Sequence, residues 1–450
     1  MSDPDRLTLV LRYADVGIAT YASLRIVGQP AKTVTWVVEE PILLAALQEL
    51  TDALPEPHGA ESGRDAIERA LARGPFAAPD TELTAAYILG VLLIGPAGWQ
   101  LLAECVASPR PILFVSPSAR LARVPWGLLA IPKSGPSKEE LVRARYEAIT
   151  ASGTAAARIP WRLDDINEHT DGYRLMELVD VLMAVPQNIV HAQRAPARWD
   201  ARQDRPPVLI LDPRIPGQRP DSALGSVLGR PSDQTPLARH FAEVMHRRAV
   251  FPEVDNAVEL FRRQDADRRW LTHVLAQRPS RLMYVGHASS AASQADRAAL
   301  HLACAAQLPG DADAIGDHRP LTASDLMSLQ LPMPPRVALL ACASGGDYRF
   351  DEATGLVAAM ILGGAQLVTA TLWSLPTTAA YRQFACASAD LTDPMTQVVV
   401  AVDRAHEAVD AGCAVNRWQR EQMRLWRDGT VTASPLYWGA LVTFAVDGAR

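Results

Sequence analysis

Lysine is scarce in this 450-residue sequence: three residues, against 41 arginines and 34 prolines. The ratio reads as the codon bias of a GC-rich genome, because the arginines are scattered among acids. No Lys/Arg-rich run occurs and the formal net charge is −6, which argues against nucleic-acid binding. Cysteine is scarce too. Cys105, Cys304, Cys342, Cys386 and Cys413 are odd in number and widely spaced, with no C-x-x-C. That fits free thiols in a reducing cytoplasm and argues against a disulfide framework or a thiolate zinc site. The start, MSDPDR, has no basic segment leading into an apolar core, so no signal peptide is expected. One uncharged stretch, Leu83 to Ala103, has the length to span a bilayer, but Gly90, Gly95, Pro96 and Gly98 interrupt it. Two buried helical pieces joined at Gly95–Gly98 are expected there, without membrane contact. The motifs G-x-S-x-G, H-E-x-x-H, G-x-x-x-x-G-K and G-x-G-x-x-G are all missing.

Apolar residues make up 48% and charged residues 21%, the balance of a globular chain of one large domain with appendages or of two domains. Leu7–Val37 reads as β-rich, and helices follow around Pro41–Leu54, Ser62–Arg73 and Glu82–Val106. From Pro111 the texture changes. PILFVS is a short strand, and LARVPWGLLA runs as a strand into a turn. Residues 134–201 read as a polar, mostly helical insertion. After Pro207 strands and helices alternate. The runs VLILD, LMYVG, VALLA and LVTAT are apolar throughout, as strands buried on both faces are, so residues 205–450 predict an α/β layered domain with a mostly parallel sheet.

In such sheets ligands bind at the carboxyl ends of the strands. RLMYVGH ends on His287 and RVALLAC on Cys342, each followed by small residues that leave backbone open to a substrate. If the strands are neighbours, imidazole and thiol face each other. The imidazole then raises the thiolate fraction, the thiolate attacks a carbonyl carbon, and the imidazolium protonates the leaving amine. The Cys342 N–H and an N–H beside His287, from Gly286 or Ala288, are the oxyanion donors to expect. Taken singly, the plainer readings stand: a histidine on a strand rim and a cysteine as a small buried hydrophobe. His301 and Cys304, in HLAC, point to opposite faces if they lie on a strand, and His240 and His246 do not stack on one helical face. No metal site and no cofactor is expected.

Several segments in order resemble the CHAT family, caspase-like peptidase domains related to separase and the caspases. LARVPWGLLA resembles the family's early segment and VLILDPRI its first core strand ending in Asp-Pro. RLMYVGHAS resembles its Gly-His strand, with Ala288 where Gly is commoner, and TASDLMSLQL the helix before the nucleophile. RVALLACASG resembles its nucleophile strand, GGAQLVTATLWSLP its Leu-Trp strand and PLYWGALVTFAVDG its closing strand. The resemblance spans Arg120–Gly448. It implies a caspase-like three-layer α/β/α sandwich over residues 111–450, with the insertion at about 134–201. Residues 1–110 are then a β-rich and helical region, regulatory or integral to the fold. It also implies a cysteine endopeptidase with His287 as general base and acid and Cys342 as nucleophile; an inactive interaction module or another thiol enzyme is the rival.

In the caspase-like fold the Leu-Trp strand lines the pocket for the residue before the scissile bond. Trp373, Thr377 and Thr378 are therefore the expected substrate contacts, and they shape a mostly neutral pocket. Asp347 and Asp351, in the acidic loop after Cys342, would serve a basic residue instead. The resemblance also implies a protein substrate, such as a gasdermin-like pore former encoded nearby in a bacterial defence setting, with no nucleic-acid or membrane partner and a cytoplasmic location.

Overall fold

The computed structural model describes residues 6–107, 109–133, 140, 143, 165–219, 222, 224–289, 295–341, 355–385 and 393–450. The chain forms two compact units: Met1–Ala184 with Gln419–Thr430 and Ser434–Gly439, and Val185–Trp418 with Val431–Ala433 and Ala440–Arg450.

In the first unit, β1 (Thr8–Val16), β2 (Ala19–Ile26) and β3 (Gln29–Glu39) form an antiparallel meander. Burial alternates along β1 and β2, so one face meets the core and the other meets water. Val16 pairs with Ala19, and the two-residue turn between them needs Gly17 at φ +62°. β4 (Ile112–Ser116) runs parallel to β1, with Leu9 opposite Leu113. Strands on either side of Pro111 thus share one sheet through the β1–β4 ladder. Helices Pro79–Leu93 and Pro96–Glu104 meet at a bend of 101°, at the expected glycine break. The ring of Trp36 lies where side chains on Gly95 and Gly98 would have to go, about 3.0 Å from either. No single described helix is long and apolar enough to cross a membrane.

The expected helical insertion differs in its described part. Besides one-turn helices it holds β6 (Thr170–Arg174), which pairs with β5 (Ala130–Pro132), and β7 (Asp180–Ala184), which runs parallel to β4.

The second unit carries β8 (Val208–Leu211), β9 (Arg281–Val285), β13 (Arg336–Leu340), β14 (Leu367–Thr371) and β15 (Leu441–Ala445), adjacent in that order. The first four are parallel and β15 is antiparallel. Every residue of the four parallel strands is buried, which matches their unbroken apolar runs. Two groups of helices supply the cover: Pro236–Arg247 contacts Pro394–Ala405, and Ala323–Ser328 contacts Leu356–Leu362. A small antiparallel sheet of β10 (Ala288–Ser289), β11 (Ala299–Leu300) and β12 (Leu321–Thr322) extends from the end of β9. The mixed α/β class and the mostly parallel sheet are as the sequence predicts.

Candidate active site

β8 has a parallel bridge to Phe251 on one side, Val208 to Phe251, and pairs with β9 on the other. After β8 the chain therefore goes first to one flank and then crosses to the other. The carboxyl ends of β8 and β9 flank this switch point, where a crevice opens in parallel sheets. Asp212 follows β8 and His287 follows β9 by two residues.

His287 is 8% exposed. Its Nε2 lies 3.0 Å from the Gly225 carbonyl. A carbonyl only accepts, so Nε2 carries the proton and the neutral ring keeps its lone pair on Nδ1. Burial pushes the imidazole below its ordinary value; the Gly225 carbonyl and the Asp212 carboxylate pull it back up, and Arg262 adds to the drop. The ring is thus a neutral base with a fixed tautomer, the form that can take a proton from a thiol.

The backbone of His287 is fixed as firmly. Its carbonyl accepts from the Tyr284 hydroxyl at 2.6 Å and from His301 N–H at 3.0 Å. The Tyr284 hydroxyl also lies 3.0 Å from the His301 carbonyl. Of the two oxyanion donors expected beside His287, Gly286 N–H is engaged with the Leu340 carbonyl at 3.2 Å. Ala288 stands opposite Leu300, one step from the hydrogen-bonded pair of His287 and His301. In an antiparallel ladder that places its N–H away from β11.

β13 lies beside β9 in parallel, with Leu340 opposite Val285. The Ala341 carbonyl accepts from the Thr371 hydroxyl, which ties the end of β13 to β14. Cys342, Asp347 and Asp351 lie outside the described residues. Of the expected pocket residues, Trp373, Thr377 and Thr378 are described. Trp373 is fully buried, the Thr377 hydroxyl caps the following helix by accepting from Ala380 N–H at 3.2 Å, and the Thr378 hydroxyl donates to Asp393 at 3.1 Å. Each of the two hydroxyls thus has a partner within the protein.

His301 pairs with His318, Nδ1 to Nε2 at 3.0 Å, and not with Cys304; His318 Nδ1 in turn meets the Cys304 carbonyl at 3.0 Å. Burial, together with His318 and His287, pushes His301 down to about 3. His240 bonds Asp403 at 2.9 Å, and no cluster that could hold a metal occurs among the described residues.

The site has members that motif reading missed. Gly225 acts through a backbone carbonyl, which leaves no side-chain signal. Asp212 had one, the Asp-Pro at a strand end.

The CHAT domain matches residues 89–446. No curated protein matches. Among solved structures, a chain of the Saccharomyces cerevisiae separase–securin complex is similar to 98% of this chain at 10% identity and a TM-score of 0.42, and the match spans only 30% of that chain. With four-fifths of its length under the domain match, the chain belongs to the CHAT-domain family.

Proposed function

We propose that the protein is a cysteine endopeptidase that cleaves a protein substrate through a His287–Cys342 dyad and a thioester acyl-enzyme. The observation that supports it most is register. Val285 and Leu340 are opposite one another on adjacent parallel strands, and His287 and Cys342 each follow their partner by two residues in sequence. The fixed tautomer adds to this, because an Nδ1 lone pair is what a thiol proton needs.

In the proposed reaction the thiol proton passes to His287 Nδ1 and the thiolate attacks the scissile carbonyl. The oxyanion rests on backbone N–H groups, with Ala288 as the donor beside His287. The imidazolium then protonates the leaving amine, and water hydrolyses the thioester with the imidazole again as base. The dyad requires neither metal nor cofactor, so a chelator should leave turnover intact and a thiol alkylator should abolish it. The proposed substrate is a partner protein in the bacterial cytoplasm, in a defence setting. Incubation of purified protein with the products of neighbouring genes, read by gel and by mass spectrometry of new termini, tests this. Cleavage that persists after Cys342→Ala would rule the dyad out.

A further inference from the structure

Two residues hold the Gly225 carbonyl in place. Asp212 and Arg262 are not glycines, yet they take left-handed φ of +52° and +55°. Backbone strain of this kind costs on the order of 1–3 kcal/mol each and persists where the surroundings impose it. Here the surroundings are each other. Asp212 is 1% exposed, and its carboxylate is ringed by donors from Ser226, Val227 and Leu228, which follow His287's partner Gly225, and from Arg262. Oδ1 accepts from Val227 N–H at 3.1 Å and from Arg262 Nη1 at 3.2 Å. Oδ2 accepts from the Ser226 hydroxyl at 2.6 Å and from Leu228 N–H at 3.4 Å. Arg262 Nη1 also reaches the Gly225 carbonyl, at 3.3 Å, so it shares that acceptor with His287 Nε2 at 3.0 Å. Thr378 N–H holds the loop from the far side, at the Val227 carbonyl, 3.3 Å away.

We infer that Asp212 and Arg262 form a clamp that sets the tautomer and orientation of His287 through the Gly225 carbonyl, and that both are positioning residues of the site. Neither hydrogen-bonds the imidazole itself; both act on the loop that does. The inference rests on the endopeptidase reading only in what the orientation is for. The two members act on the imidazole with opposite sign. The carboxylate favours its charged form, whereas the guanidinium opposes it and competes for the carbonyl. Among the described residues, the other titratable groups near the ring are His301, held neutral, and the Tyr284 hydroxyl on its backbone.

The test is the titration of His287 followed by NMR on protein with 15N-labelled histidine, the signal assigned by its loss in His287→Gln. In the intact protein the neutral ring should show the Nε2–H tautomer. Asp212→Asn should lower the His287 pKa and mix the tautomers, and Arg262→Gln should raise it. Ser226→Ala, which removes one anchor and leaves both charges, should mix the tautomers with the smallest pKa change. With peptide substrate, Asp212→Asn should lower kcat about 10–100-fold at nearly constant KM. An unchanged tautomer and pKa in both charge variants would overturn the clamp. If Asp212→Asn fails to fold, opposite or absent effects in Arg262→Gln and Ser226→Ala decide alone. The NMR result does not depend on turnover, so an inactive protein with the predicted titration would sink the peptidase reading and leave the clamp standing.

Discussion

Tyr284, the penultimate residue of β9, folds over the residue two places on. A Cβ on Gly286 would stand 2.7 Å from its hydroxyl and 2.8 Å from its ring, so the position accepts only glycine while the tyrosine is there. The hydroxyl serves the carbonyls of His287 and His301, both in the interior. Tyr284→Phe keeps the ring and strips those acceptors of a donor, worth about 1–3 kcal/mol for a buried group. We expect kcat to fall about tenfold or more at nearly constant KM, because the turn that presents His287 relaxes. Steady-state kinetics beside a thermal melt check this; unchanged kcat would show that His301 N–H suffices. His287 itself was legible in the sequence as a polar residue closing an apolar strand. What orients it was not. A backbone carbonyl, and a carboxylate that works through a loop, have no residue type that announces them.

At the scale of elements, legibility followed burial. β8, β9, β13 and β14 are buried at every residue, and so their sequences are unbroken apolar runs. Thr170–Arg174 and Asp180–Ala184 escaped notice for the same reason inverted. TDGYR carries a glycine and charges, and the segment RLMELVDVLMA has apolar spacing that a helix would satisfy. Only pairing with β5 and β4 makes strands of them. Helix Pro79–Leu93 offers a sharp test of close packing. A Cβ on Gly90 would meet the Ala130 carbonyl oxygen at 2.4 Å, backbone that a rotamer change cannot move. Alanine gains about 1 kcal/mol in helix propensity over glycine, while overpacking costs about 1–3 kcal/mol. Gly90→Ala should therefore lower the urea midpoint; a raised midpoint would mean that helix and β5 separate at little cost.

For the molecule as a whole, pH is the lever. Burial first, then neighbouring positive or potentially positive groups, pushes His301 and His406 down to about 3. In the unfolded chain they titrate near 6.5. Between those limits the unfolded state binds protons that the native state refuses, so stability rises with pH and is lost as pH falls. Each such histidine contributes a slope of about 1.4 kcal/mol per pH unit where the difference is complete. Urea midpoints should fall steeply from pH 6 to pH 4, and His406→Gln should flatten the fall. A midpoint independent of pH in that window would contradict the neutral, buried assignment.

The claim that the molecule is a peptidase rests on a cysteine and a histidine that follow register partners on adjacent strands. The most direct measurement is labelling and turnover together: a thiol-reactive peptide probe and a peptide library, applied to the protein, to Cys342→Ala and to His287→Ala. The account predicts that the probe modifies Cys342 alone, that Cys342→Ala abolishes both labelling and cleavage with the fold intact, and that His287→Ala costs a factor on the order of 10²–10⁴. Equal cleavage by the unaltered protein and Cys342→Ala would contradict it.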